Sequence, residues 1–253
     1  MLLRRITEHV KAQNWLAVGI DFFIVVVVVV VGVFIGIQVS NWNDARRDRE
    51  REAEYVQRLH DEAKAGLDGL LGFVSVYFEP RFRHYEEIVA LLNDPELEQI
   101  TFTDEQCDVI GNMHDFIAMP SQFPSLEEMA ASGQFDLIRD AELKSALTNY
   151  LMMKGQSQVL IENLNTSLII LPNAFPQYFE ADLTIDTPGR ELSYRNCDSA
   201  AMIADRAFLN QFADTASRYN QYYNIVIDQE RLRVRRLHTL LDQKLGVSHD
   251  EAQ

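Results

Sequence analysis

Residues 22–39 read FFIVVVVVVVGVFIGIQV, eighteen consecutive positions without a charge. At 1.5 Å per residue a helix of that length is about 27 Å long, close to the thickness of a bilayer's hydrocarbon core. The β-branched run Val25 to Val31 would favour a strand in water. In lipid an isolated strand leaves every N–H and C=O unpaired, so the reading is a helix by elimination. Leu16 to Ile20 add length for tilt, and Trp15 and Trp42 bracket the segment where amphipathic aromatics sit, at the two headgroup levels. Residues 15–42 are therefore expected to form a transmembrane anchor, preceded by a short tail, 1–14, with the lipid bilayer as first partner. Asp21 interrupts the start of the run and QVSNWN offers no A-x-A-like cleavage site, so an uncleaved signal anchor is expected rather than a signal peptide.

Basic residues lie on both sides: Arg4, Arg5 and Lys11 before the span; Arg46, Arg47, Arg49 and Arg51 after it. A bare count favours a cytoplasmic C-terminal side. The second cluster, however, is interleaved with Asp44, Asp48, Glu50 and Glu52, and long domains translocate largely regardless of charge. The expectation is a cytoplasmic N-terminus and an external domain. Within the span, Gly32 and Gly36 form G-x-x-x-G, a packing face for a homodimer. Asp21 is a candidate intramembrane acid, with snorkelling to the headgroups as the plainer reading.

Of the chain's 23 basic and 38 acidic residues, 20 and 36 follow the span. That charge repels nucleic acid and anionic lipid alike. Arg231, Arg233, Arg235 and Arg236 are the best local basic patch, expected to pair with Asp44, Asp48, Glu50 and Glu52 if the last helix returns beside the first, with headgroup contact by the same arginines as the rival. The two cysteines, Cys107 and Cys197, have no C-x-x-C partner or nearby histidine pair, so no metal site is expected. They are candidates for one disulfide in an oxidising compartment; in a cytosolic domain they are two small hydrophobes.

The remaining residues, 43–253, read as one acidic all-α domain with long antiparallel helices. Val56, Leu59, Ala63, Leu67, Leu70 and Val74 recur at helical spacing on a helix leaving the anchor. Pro80 is expected to start a second helix that ends at Asn93. Thr103 to Gln106 and Ser125 to Glu128 have capping-box form, Gly133 is a stop, and Asp140 caps a helix expected to reach Pro172. About 172–200 reads as irregular, with a brief strand at Leu183 to Ile185. A single helix from Ala201 to Leu245 is expected to bury Phe208, Phe212, Ala216, Tyr219, Tyr223, Val226, Leu237 and Leu241.

No catalytic constellation is legible. The six histidines form no H-E-x-x-H, and no Walker loop, G-x-G-x-x-G or G-x-S-x-G occurs. Neither an enzyme nor a cofactor is expected.

The block WLAVGIDFFIVVVVVVVGVFIGIQVSNWNDAR, followed by REAEYVQRLHDE and later by LEEMAASGQFDLIRDAELKSALTNYL, resembles an uncharacterised bacterial single-pass membrane-protein family, a domain of unknown function. The resemblance implies inner-membrane placement and this architecture, and no activity. The expected function is a membrane-anchored helical interaction or sensor-like module with an unknown protein partner. The alternatives are an auxiliary subunit of a membrane complex that uses Asp21, or an unrecognised hydrolase.

Overall fold

A computed structural model of the chain describes residues 15–96, 99–117, 122–184 and 191–247. It divides after Tyr55 into two units. Among the described residues the protein is all-α apart from one two-stranded sheet.

The first unit is the N-terminal part of helix α1, Trp15–Phe73. From Ile20 to Trp42 its large apolar side chains other than Val25 stand exposed, Val28 at 63% and Phe34 at 60%. This helix is long and apolar enough to cross a membrane. Past the apolar run, Arg46 Nε lies 2.9 Å from Glu50 Oε1 and Arg47 3.9 Å from Asp44. These exposed pairs follow the interleaved charges and add little stability.

The second unit begins as α1 turns amphipathic. Val56, Leu59, Ala63, Leu67, Leu70 and Val74 are all buried, as their spacing requires. Pro80, however, does not open a separate helix. Val74–Phe78 form a π-helical turn and α2, Glu79–Asn93, continues the same run. Proline lacks an N–H and its ring crowds the carbonyl four residues back. Pro80 sits in the first turn of α2, directly after the wide turn, where the missing donor is least disruptive.

Helix α3, Asp104–Asn112, starts at the expected capping box: Gln106 N donates to Thr103 Oγ1 at 3.3 Å and Thr103 N to Gln106 Oε1 at 3.1 Å. Helix α4, Pro124–Ser132, does not use Ser125 as a cap. Pro124 already occupies the first turn, and Ser125 turns its hydroxyl and N–H to Glu62 of α1, at 2.6 and 3.1 Å. Gly133 ends α4 in the left-handed region, φ 71°. Asp140 caps α5, Ala141–Asn165, by accepting from Glu142 N and Leu143 N, each at 3.0 Å.

Helix α5 stops short of Pro172. Asn165 and Thr166 donate from their side chains to the carbonyls of Ile161 and Glu162, and Ser167 takes φ 58°, so local polar side chains compete with the final turns. A one-turn helix α6, Leu171–Ala174, leads to strand β1, Phe179–Thr184, paired antiparallel with β2, Glu191–Cys197. The segment expected to be irregular therefore contains a hairpin, with Phe179 opposite Cys197 and a bulge after Glu180. The expected strand position Ile185 lies outside the described residues.

The C-terminal helix is broken twice. Helix α7, Ser199–Ala204, yields at Asp205, whose carboxylate accepts from Ala207 N at 2.8 Å and caps α8, Arg206–Gln221. A second π-turn, Tyr222–Asp228, then precedes α9, Gln229–Leu245. The wide turn shifts the buried phase, so Tyr222 is buried where Tyr223 was expected, followed by Val226, Val234, Leu237 and Leu241.

Helix α9 runs antiparallel to α5, with Tyr150 Oη donating to Glu230 at 3.0 Å and Arg236 3.7 Å from Glu142. It also runs antiparallel to the second-unit part of α1 and the start of α2, with His60 Nε2 2.8 Å from Asp242 and Arg231 3.3 Å from Glu79. Within this unit Arg231 meets Glu79 and Asp228, Arg233 lies near Glu230, and Arg236 near Glu142.

Candidate functional site

Helix α3 forms one wall of a cleft and holds the hairpin against itself. Cys107 is disulfide-bonded to Cys197, with Cα atoms 5.7 Å apart across 90 residues of sequence. Tyr194 N donates to Asp108 Oδ1 at 3.1 Å, and Asn112 Nδ2 to the Leu192 carbonyl at 3.1 Å. The Tyr194 ring fits over Gly111, where any side chain would overlap it.

The opposite wall comes from the first π-turn and the start of α2, which supply Tyr77 and Arg81. Between the walls lie two adjoining cavities of about 380 and 630 Å³, both lined by Tyr77 and Arg81. The smaller also takes in His114, Asp115, Asn173 and Tyr194; the larger extends to His84, Glu105 and Arg195. Arg81 is held twice, with its guanidinium carbon 4.5 Å from the centre of the Tyr77 ring and a nitrogen 3.3 Å from Asp108 Oδ2. Burial, then the carboxylates of Asp115 and Asp108, push the Tyr194 hydroxyl above the usual phenol range. Backbone donation at the start of α3, with help from Thr103, holds the Glu105 carboxyl below its usual range. His84, 3.0 Å away, does the same for Glu87, with Gln106 adding a second donor.

Chemically the cleft offers fixed cations, fixed anions and aromatic faces within one opening, a set that suits a polar ligand carrying both charges. Ser193 at the rim donates to the Asp182 carbonyl, and the nearby cysteine is locked in the disulfide, so neither is an activated nucleophile.

A second cluster lies between α1 and α9. His60 and His238 stack with ring centres 5.3 Å apart, and Asp242 reaches both, Oδ1 at 2.8 Å from His60 Nε2 and Oδ2 at 3.5 Å from His238 Nδ1. Among the described residues this is the set of side chains able to hold a metal ion, with ligand atoms within 4.8 Å of one another. It revises the expectation that the histidines assemble no site. The i,i+4 pair His238 and Asp242 is visible in sequence; His60, far upstream, is brought to it only by the fold.

The other sequence candidates belong to the first unit. Asp21 is half-buried at the head of the apolar stretch. Gly32 and Gly36 have open space where a Cβ would stand, as G-x-x-x-G packing requires of an exposed face. Tyr77 and Arg81 stand at ordinary i,i+4 helical spacing; what the sequence does not show is the wall opposite them, helix α3 and the hairpin, which the fold brings from distant sequence. Searches against protein-family models, curated proteins and solved structures find no match to this chain.

Proposed function

We propose that this chain is a non-enzymatic, membrane-tethered binding module of a bacterial envelope, with the cleft beside Tyr77 and Arg81 as its ligand site. The observation that carries the proposal is a single helix. The apolar run and the π-turn that lines the cleft belong to one continuous helical stretch of the chain, Gly19–Asn93. Tyr77 and Arg81 sit where that helix departs from regular geometry, and π-turns are often kept at functional sites.

The Cys107–Cys197 bond favours an oxidising compartment, and with it a cytoplasmic N-terminus and a periplasmic domain. The resemblance to bacterial single-pass proteins supports the same placement. Partners in this reading are the bilayer, a second copy met through Gly32 and Gly36, and a ligand or protein at the cleft. The large negative charge argues against nucleic acid.

A photo-cross-linking residue in place of Tyr77 tests the cleft in living cells, combined with a periplasm-dependent reporter after Gln253. Adduct formation that disappears in an Arg81→Glu background, with the reporter active, is the expected result. Turnover of substrate by the purified chain with no adduct at Tyr77 would overturn the proposal in favour of a hydrolase.

A further inference from the structure

We propose that His60, His238 and Asp242 bind one zinc-class divalent cation that clamps α9 onto α1. The argument starts with donor type. Two imidazole nitrogens and one carboxylate oxygen form a borderline-soft set that suits zinc and its first-row neighbours better than calcium or magnesium. The spacing agrees: His238 and Asp242 stand one turn apart on α9 and share a face, the arrangement that places two metal ligands side by side on a helix.

The distances are close to those an ion requires. Zinc with ligand bonds of about 2.0–2.1 Å in a tetrahedron sets its donor atoms about 3.3 Å apart. Here His60 Nε2 to Asp242 Oδ1 is 2.8 Å and His238 Nδ1 to Asp242 Oδ2 is 3.5 Å. All three ligand atoms lie within 4.8 Å of one another, so binding would draw the widest pair together. Asp61 Oδ1, 3.3 Å from His60 Nδ1, lies where an outer carboxylate would hold the proton on Nδ1 and leave the Nε2 lone pair facing the cluster. Metal-ligating histidines are commonly oriented in this way.

Burial decides the role. His60 is 5% exposed and His238 4%, so substrate has no path to an ion there. The site is a structural clamp, with water or a further oxygen completing four-coordination. It does not depend on the proposed ligand site in the cleft.

The full chain, purified in detergent and stripped with a chelator, tests this by titration with Zn²⁺ and with Co²⁺. The expected result is one ion per chain, strong visible absorption from tetrahedral Co²⁺, and a higher midpoint of thermal unfolding with Zn²⁺. Asp61→Asn alters a side chain that is 67% exposed. It is expected to weaken binding about 10–100-fold with the helical circular-dichroism signal unchanged. His238→Gln and Asp242→Asn are expected to abolish the cobalt spectrum. A wild-type cobalt spectrum of the weak octahedral type, or binding equally strong in all three variants, would overturn the proposal and leave the trio as a hydrogen-bonded packing element.

Discussion

The ring of Tyr194 occupies the space that a side chain on residue 111 would need, so that a Cβ there would lie 2.7 Å from Cγ and 2.8 Å from Cε2. Strand β2 and helix α3 can approach this closely only because residue 111 is glycine. Gly111→Ala is expected to cost about 1–3 kcal/mol through overpacking. Denaturant unfolding of the full chain measures it, and Tyr194→Ala in the same background should recover part of the loss by clearing the overlap. Equal stability of wild type and Gly111→Ala would show that the hairpin can shift freely.

The disulfide fixes the same contact covalently. With its cysteines 90 positions apart in sequence, the loop it closes restricts the unfolded chain strongly. Cys107→Ser with Cys197→Ser is expected to lower stability by about 2–5 kcal/mol. Comparing wild type with and without a thiol reductant is the matching control, and both routes should give the same destabilised state.

Alkaline pH is expected to destabilise the fold through two tyrosines. Burial pushes the hydroxyls of Tyr219 and Tyr222 well above the ordinary value of 10.0. Folded and unfolded chains hold these protons equally below that value, so their contribution is intact there. As pH rises past it the unfolded chain releases them first, and stability falls. A spectrophotometric tyrosinate titration should show exposed tyrosines ionising near their usual pH and a later step that coincides with loss of helix. Two steps that both precede helix loss would contradict this.

Tyr222 also has a local role, donating to the Ile117 carbonyl at 2.7 Å. Tyr222→Phe is expected to cost about 0.5–1.5 kcal/mol and to shift the thermal midpoint downward. Val76→Ala, at a residue 80% exposed, serves as the neutral comparison, expected within about 0.5 kcal/mol of wild type.

Under the proposed topology, Gly32 and Gly36 let two anchors meet. Replacing both with isoleucine is expected to abolish proximity between chains, read as energy transfer between labelled copies in lipid vesicles, while leaving the external domain's circular dichroism unchanged. Transfer that persists in the double variant would move any self-association to another surface.

The parts of the fold legible in sequence were those governed by local chemistry. The stripe from Val56 to Val74, the Thr103 capping box, the Gly133 stop and the Asp140 cap each depend on residues within a few positions of one another. Ser125 had the same local signature and was captured by Glu62, a partner 63 residues away that no periodicity announces. The π-turns escaped because they add a residue to a turn without any compositional mark, and Tyr222 displaced Tyr223 from the core as a result. Both candidate sites lie in that less legible category. The α3 and hairpin wall that faces Tyr77 and Arg81 comes from distant sequence, and His60 reaches His238 and Asp242 only through the register of two antiparallel helices.

The bridge between Cys107 and Cys197 turns the intervening chain into a covalent ring that carries one wall of the cleft, helices α4 and α5, and the hairpin. A protease that nicks this ring once releases nothing. Both ends stay joined to one another through the bridge, and a cut chain migrates as two fragments only after reduction. In a compartment rich in proteases, a single scission would therefore be survivable damage.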